Sequence, residues 1–423
     1  MSLRFVMALF GAGLACGQEF VITGDWEVLL DGQTLRVKPS VMVDVKDERY
    51  IGVPMFNAKA GGWVKGMQLK GVRAQETTSS GLLDVESFHL RAGAGEGAPV
   101  FIRGVDYEID LEWGTFGRLT DSRINEGQEV FASYRHGQMR LDAVVETASG
   151  QVVLREGKAR AAAPVEPEVR TGERRLGNIY LPGFVTKLAP ELWFPVLERE
   201  YPELPRVPNA TVDRIVKKLR AREALRVLAW GDSVTDGGYL ERTHRWQEQF
   251  VMRLREQFPK ARIELLTQAW GGRNTGSYLA EPAGSPHNYR ETVLGVKPDL
   301  IISEFVNDAR LEPAQVEERY GRLLADFKGI GAEWIILTPH YVRPGWMGLT
   351  REKGIDEDPR PYVRGLRQFA ATHDVGLADA SLRYGRLWRQ GIPYNTLMVN
   401  AINHPDRLGM RLFADALMAL FRE

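Results

Sequence analysis

The chain changes its hydrophobic pattern once. From about residue 20 to residue 160, apolar positions come in short runs at 21–23, 26–30, 34–37, 100–102, 107–111, 130–134, 141–145 and 151–154. Gly24-Asp25, Asp31-Gly32 and Ser149-Gly150 punctuate them. Asp-Gly between apolar runs marks a hairpin. Many short β-prone runs without a helical period predict an all-β sandwich or jelly roll. Residues 161–168, rich in Ala and Pro, read as a linker. Residues 176–185 read as one more strand and turn. Residues 211–225 read as an amphipathic helix with Val212, Ile215, Val216 and Leu219 on one face.

From Arg226 strands alternate with helices. Strands are predicted at 227–230, 263–266, 300–305, 334–337 and 375–378. Helices are predicted at 242–258, 313–330, 362–372 and 408–421. This alternation predicts an α/β domain with a doubly wound parallel sheet. The chain of 423 residues is too long for one ordinary core, which agrees with two domains. The expected division is a leader at 1–17, a β domain at 18–160, a linker and bridge at 161–220, and the α/β domain at 221–423.

The leader rests on Arg4, an apolar run over 5–14 and the small residues Ala15-Cys16-Gly17. Such a run is too short to span a bilayer, which takes about 20 apolar residues. It implies a secreted or periplasmic protein. Cys16 is the single cysteine, so a chain cut after Gly17 has no disulfide and no cysteine-based chemistry. A lipid anchor on Cys16 is the alternative, although Gly13 stands where such signals usually have Leu. Lys plus Arg and Asp plus Glu are 55 each, which gives no basic excess for nucleic acid. His89, His136, His244, His287 and His373 form no pair at metal-ligand spacing, so no metal is expected, and no cofactor is expected either.

The stretch Trp230-Gly231-Asp232-Ser233-Val234-Thr235 carries the first chemistry. A serine follows a buried strand, among glycines that permit a tight turn, at the sheet edge where open α/β sheets put their ligands. It is not the Gly-x-Ser-x-Gly elbow, because position 235 is Thr. Alone, Gly-Asp-Ser also reads as an ordinary helix cap. Three further blocks follow: Ala269-Trp270-Gly271-Gly272-Arg273-Asn274, then Phe305-Val306-Asn307-Asp308, then Asn403-His404-Pro405.

In their order, these four blocks resemble the SGNH, or GDSL-like, hydrolase family, including members that remove O-acetyl groups from carbohydrates. The resemblance spans about the last 200 residues. It implies Ser233 as nucleophile and His404 as base. It also implies an oxyanion hole from Ser233, Gly272 and Asn307, and a flavodoxin-like sheet of order 2-1-3-4-5. That order puts the first three strands side by side, so Ser233, Gly272 and Asn307 converge at their carboxyl ends. Asp308 is expected to be structural.

Two positions depart from the pattern. Phe305 replaces a usual Gly and is expected to narrow the pocket or cover the backbone. Ala401 stands three residues before His404, where the family has its Asp. Glu304, Asp379 and Asp406 are the candidate replacement acids. Glu304 leads, because a carboxylate in an apolar strand is costly to bury without a task. His340 is on the same sheet edge. Trp270, Tyr341 and Trp346 are candidates for stacking on a sugar.

The expected function is therefore an esterase acting on an acylated small molecule or polysaccharide. A lipase or thioesterase of the same fold is one alternative, and a non-catalytic carbohydrate-binding protein is another.

Overall fold

The computed structural model describes residues 20–202 and 209–422. The expected leader and Cys16 lie outside the described residues. Among those described, no helix is long and apolar enough to cross a membrane.

The C-terminal half is built on five parallel strands. Their order is Arg262–Ala269, Ala224–Gly231, Leu300–Glu304, Glu333–Leu337 and Gly376–Ala378, which is 2-1-3-4-5. The central strand shows why the sheet is covered on both faces. Val227 and Ala229 enter one core, with the helices Ala210–Arg220, Trp246–Gln257 and Arg407–Leu420. Leu228 and Trp230, pointing the other way, enter a second core with Pro313–Gly329 and Pro361–His373. Strand periodicity of two sends alternate residues to opposite faces, so a continuous apolar run needs two helical layers.

Local signals set the helix ends. Asn209 caps Ala210–Arg220 by accepting from Val212 N. This helix buries Val212, Ile215 and Leu219. Each such side chain contributes roughly 1.5–3 kcal/mol of burial. The helix stops short of residue 225, because the strand begins at Ala224.

The N-terminal half is antiparallel throughout its named sheets. One sheet runs Val152–Arg155, Arg140–Glu146, Arg174–Leu181, Trp193–Pro195. Another runs Met42–Ile51, Glu129–Gly137, His89–Arg91. Met42–Ile51 has no counterpart in the hydrophobic pattern. Asp44, Lys46, Asp47, Glu48 and Arg49 break any apolar run, and half of the strand's residues are exposed. The predicted strand at 100–102 is absent. Val100 makes an isolated bridge to Arg91, and Val100 and Ile102 are exposed.

The segment read as linker and bridge needs a correction. Ala162 packs into the β core, Lys158 bridges Val165, and Arg175 pairs with Glu166 at 2.7 Å. Arg174–Leu181 then lies beside Arg140–Glu146 in the sheet. Ala and Pro fit there because the segment follows the β core closely and needs little side-chain volume.

The halves are joined by backbone acceptors. Asn178 Nδ2 donates to Gly391 O at 2.7 Å, Leu197 N to Arg389 O at 2.7 Å, and Thr77 Oγ1 to Asn400 O at 2.9 Å.

Candidate active site

Ser233 opens the four-residue helix Ser233–Asp236, directly after the central strand. Asp232 caps that turn by accepting from Val234 N at 3.1 Å. Gly231 has no room for a side chain: a Cβ there would lie 2.1 Å from Thr235 Oγ1 and 2.3 Å from Glu304 O. The chain therefore turns sharply enough to leave the serine hydroxyl at the sheet's carboxyl edge.

The imidazole of His404 arrives from the loop before the last helix. Its Nε2 lies 3.1 Å from Ser233 Oγ, within proton-transfer reach. Asn400 shapes this loop, its Oδ1 accepting from the backbone N–H groups of Ile402, Asn403 and His404 at 2.9–3.0 Å. His340 is buried and its Nε2 donates to Asn403 O at 2.9 Å, so it props the loop from below. The ring of His404 stacks on Tyr239 at 4.5 Å and 4°. Its other nitrogen, Nδ1, faces the β domain. Gln75 Oε1 is 3.0 Å away and Glu76 Oε1 is 3.2 Å away. Desolvation lowers the His404 pKa below 6.5, while the charges of Glu76 and Asp236 oppose that shift.

The glycine turn lies against the serine. A Cβ on Gly271 would sit 3.7 Å from Ser233 Cβ, and Gly272 adopts φ +71° with open space around it. On the other side Asn307 follows the third strand. Its backbone N and its Nδ2 each donate to Asp232 Oδ2 at 3.0 Å. One amide hydrogen of Asn307 is thus held by Asp232, which leaves the second for a ligand. Asp308 accepts from Thr275, Tyr320 and Arg319 and braces this turn.

The three expected acids are elsewhere. Glu304 is fully buried beside Asp232, accepts from Thr235 Oγ1 at 3.4 Å, and has no hydrogen-bond partner on Oε1. Desolvation, reinforced by the Asp232 charge, holds its carboxyl well above the usual range. Burial likewise lifts Asp232 to about 7. Asp379 caps Ala380–Gly385 and pairs with Arg367 at 2.7 Å. Asp406 caps Arg407–Leu420, accepting from Gly409 N at 2.8 Å. Each is a local structural partner, and His404 Nδ1 turns instead to Gln75 and Glu76. Those two residues stand 329 and 328 positions earlier, so no local motif could have pointed to them.

Phe305 does not narrow the site. It is buried edge-on to Trp230 at 4.8 Å, in the core below the sheet edge. Tyr341 is also buried, and Trp270 stacks on His287 at 4.4 Å. Of the three aromatic candidates, Trp346 is the exposed one, at 52%. It lies 5.8 Å from Trp63, which lies 5.4 Å from Trp113.

Residues 229–412, the span holding all four blocks, match the family described as GDSL-like Lipase/Acylhydrolase. That span is a GDSL-like lipase/acylhydrolase domain. No curated protein matches the chain. Solved structures similar to it include a two-domain esterase active on acetylated mannans, at 16% identity and TM-score 0.40. The match covers 50% of this chain and 52% of that one, so the chain spans about half of that relative's length. Axe2, an acetylxylan esterase from Geobacillus stearothermophilus, is 19% identical, with TM-score 0.37 and coverage of 47% and 95%. LAE5, an alpha/beta hydrolase from the metagenome of Lake Arreo, is 20% identical, with TM-score 0.36 and coverage of 46% and 94%. Within residues 229–412, the serine turn, glycine turn and asparagine turn occupy three adjacent strand ends.

Proposed function

We propose that the protein is a serine esterase that hydrolyses acyl esters, with O-acetylated carbohydrate as the substrate class. The observation that carries this reading is the 3.1 Å contact between Ser233 Oγ and His404 Nε2 beside the glycine and asparagine turns. Ser233 Oγ attacks the ester carbonyl while Nε2 takes its proton. The tetrahedral oxyanion sits among the N–H groups of Ser233 and Gly272 and the free amide hydrogen of Asn307. Collapse expels the alcohol, which takes the proton from His404. Water then attacks the acyl-serine with His404 as base, and the carboxylic acid leaves. Ester plus water gives alcohol plus acid, with the enzyme restored.

A cleft between the two halves supports carbohydrate. It measures about 460 Å³ and is lined by Trp63, Trp113, Trp346, Glu112 and Arg343. Arg343 lies over the Trp113 ring at 4.4 Å and pairs with Glu112 at 2.9 Å. Aromatic faces suit the apolar face of a sugar ring, and the charged edge suits its hydroxyls. Arg343 N also donates to Ile402 O at 2.7 Å, which ties the cleft to the histidine loop. Export, expected from residues 1–17, fits a polymeric substrate.

A fluorophosphonate probe tests the reading. Labelling that disappears in Ser233→Ala supports an esterase. Failure of the wild-type chain to label or to cleave short acyl esters points to a binding protein instead. A panel of acetylated xylan, acetylated mannan, long-chain esters and thioesters separates the carbohydrate reading from a lipase or thioesterase.

A further inference from the structure

Gln75 and Glu76 form the two-residue turn of a hairpin whose strands are Arg73–Ala74 and Thr77–Thr78, paired Ala74 to Thr77. This turn belongs to the β half, yet it ends on the imidazole of the other half. Four observations meet there. Gln75 Oε1 is hydrogen-bonded to His404 Nδ1 at 3.0 Å, and Glu76 Oε1 is 3.2 Å from the same nitrogen. Glu76 is anchored by Asn400, whose Nδ2 donates to its Oε1 at 3.0 Å, and Thr77 Oγ1 donates to Asn400 O. Gln75 adopts φ +60° and Ala401 adopts φ +56°, so the two chain segments flanking the ring both hold a non-glycine residue in the left-handed region. Such conformations persist where the surroundings over-determine them. Finally, Ala401 packs into the core of the β half. The position that carries an acid in the resembling family is therefore spent on joining the halves.

We propose that this turn does in two residues what one aspartate does in a Ser-His-Asp triad, so that the β half completes the active site. Gln75 fixes the tautomer: as an acceptor it keeps the proton on Nδ1 and leaves Nε2 free to take the serine proton. Glu76 supplies the charge that steadies the imidazolium formed when that proton arrives. Both are positioning residues, acting through His404. The inference rests on the Ser233–His404 reading.

The charged and titratable groups around the ring are few. Glu76 faces it from the hairpin, Asp236 and Tyr239 from the serine side, and His340 from beneath the loop. Glu76 and Asp236 raise the affinity of His404 for its proton. Removing the Glu76 charge therefore moves the acid limb of kcat/KM to lower pH, since the base stays neutral further down. Loss of Gln75, which carries no charge, leaves the limb in place and lowers the plateau.

The test uses the full chain with Glu76→Gln, Glu76→Ala, Gln75→Ala and Ser233→Ala, assayed on a short acetyl ester from pH 4.5 to 9. Glu76→Gln is expected to lower kcat by about 10- to 1,000-fold with little change in KM. That is less than the roughly 10⁴-fold measured for buried triad acids, because half of the Glu76 side chain is exposed. Its acid limb shifts down, and added formate restores part of the activity of Glu76→Ala, where chloride at equal ionic strength does not. Thermal unfolding and circular dichroism of each variant exclude misfolding as the cause. An unmoved acid limb together with no formate rescue overturns the charge role. Full activity in Gln75→Ala overturns the tautomer role. If Ser233→Ala keeps its activity, the underlying reading fails; if Ser233→Ala is dead and the turn variants behave as wild type, this inference alone fails.

Discussion

Asn307 grips Asp232 at two points: its backbone N and its Nδ2 both donate to the same carboxylate oxygen, each at 3.0 Å. Asp232 is the residue before Ser233 and caps the serine turn. A single carboxylate therefore locks the serine turn to the asparagine turn.

Asn307→Ala is expected to lower kcat by about 100- to 1,000-fold, the range for removing one oxyanion donor. It also strips a donor from a buried carboxylate, so the melting temperature should fall. Asn307→Asp should be worse on both counts, since it places like charges together. Steady-state kinetics and thermal denaturation on the same preparations check this, and unchanged kcat in Asn307→Ala removes Asn307 from the oxyanion hole.

The pH–rate profile should follow His404. Its proton affinity is lowered by burial, so kcat/KM should rise with pH along a limb centred below 6.5. A limb centred clearly above 6.5 contradicts the assignment of His404 as base.

The buried carboxyls give a stability trend of stated sign. Asp232 is raised to about 7 and Glu304 well above its usual value, in both cases mainly by desolvation. Between the unfolded values near 4 and the folded values, the native state holds more protons than the unfolded chain. Their contribution to stability must therefore fall as pH rises through that window. Between pH 5.5 and pH 8 this contribution lowers the melting temperature, against an opposite contribution from His340 and His404, whose proton affinities burial lowers. Glu304→Gln should flatten this slope, because it removes the group whose Oε1 has no hydrogen-bond partner. An identical slope in Glu304→Gln and wild type rejects that assignment.

Trp63→Ala and Trp346→Ala should raise KM for acetylated oligosaccharides by about 5- to 100-fold. This corresponds to losing roughly 1–3 kcal/mol of aromatic contact, the scale of a truncated interface aromatic. On p-nitrophenyl acetate, too small to fill the cleft, both variants should match wild type. Equal effects on the two substrates argue against a sugar subsite.

The α/β half was legible because its signals are local. Runs such as 227–230 and 300–302 are apolar on both faces and lead to Ser233 and Asn307, while Gly272 follows the partly exposed edge strand Arg262–Ala269, so strand order brings the three together. Helix ends at Pro313 and near Gly329 follow from their own residues. In the β half, half-exposed strands such as Met42–Ile51 carry charges, and their pairing partners are remote: Glu129 lies opposite Ile51. The acid candidates failed for a related reason. A carboxylate near a motif, such as Asp406 or Asp379, is more often wanted as a helix cap. The groups that do face His404 come from a hairpin turn, and no periodicity records that a turn will reach across to a second core.

The sequence separation of 329 between Gln75 and His404 bears on assembly. Each half can acquire its own strands and helices early, but the imidazole gains its Nδ1 neighbours only when the two halves dock. Regain of turnover after dilution from denaturant should therefore trail regain of secondary structure. Under the proposed esterase activity, the turnover rate then becomes a clock for the final docking step, read with no added label.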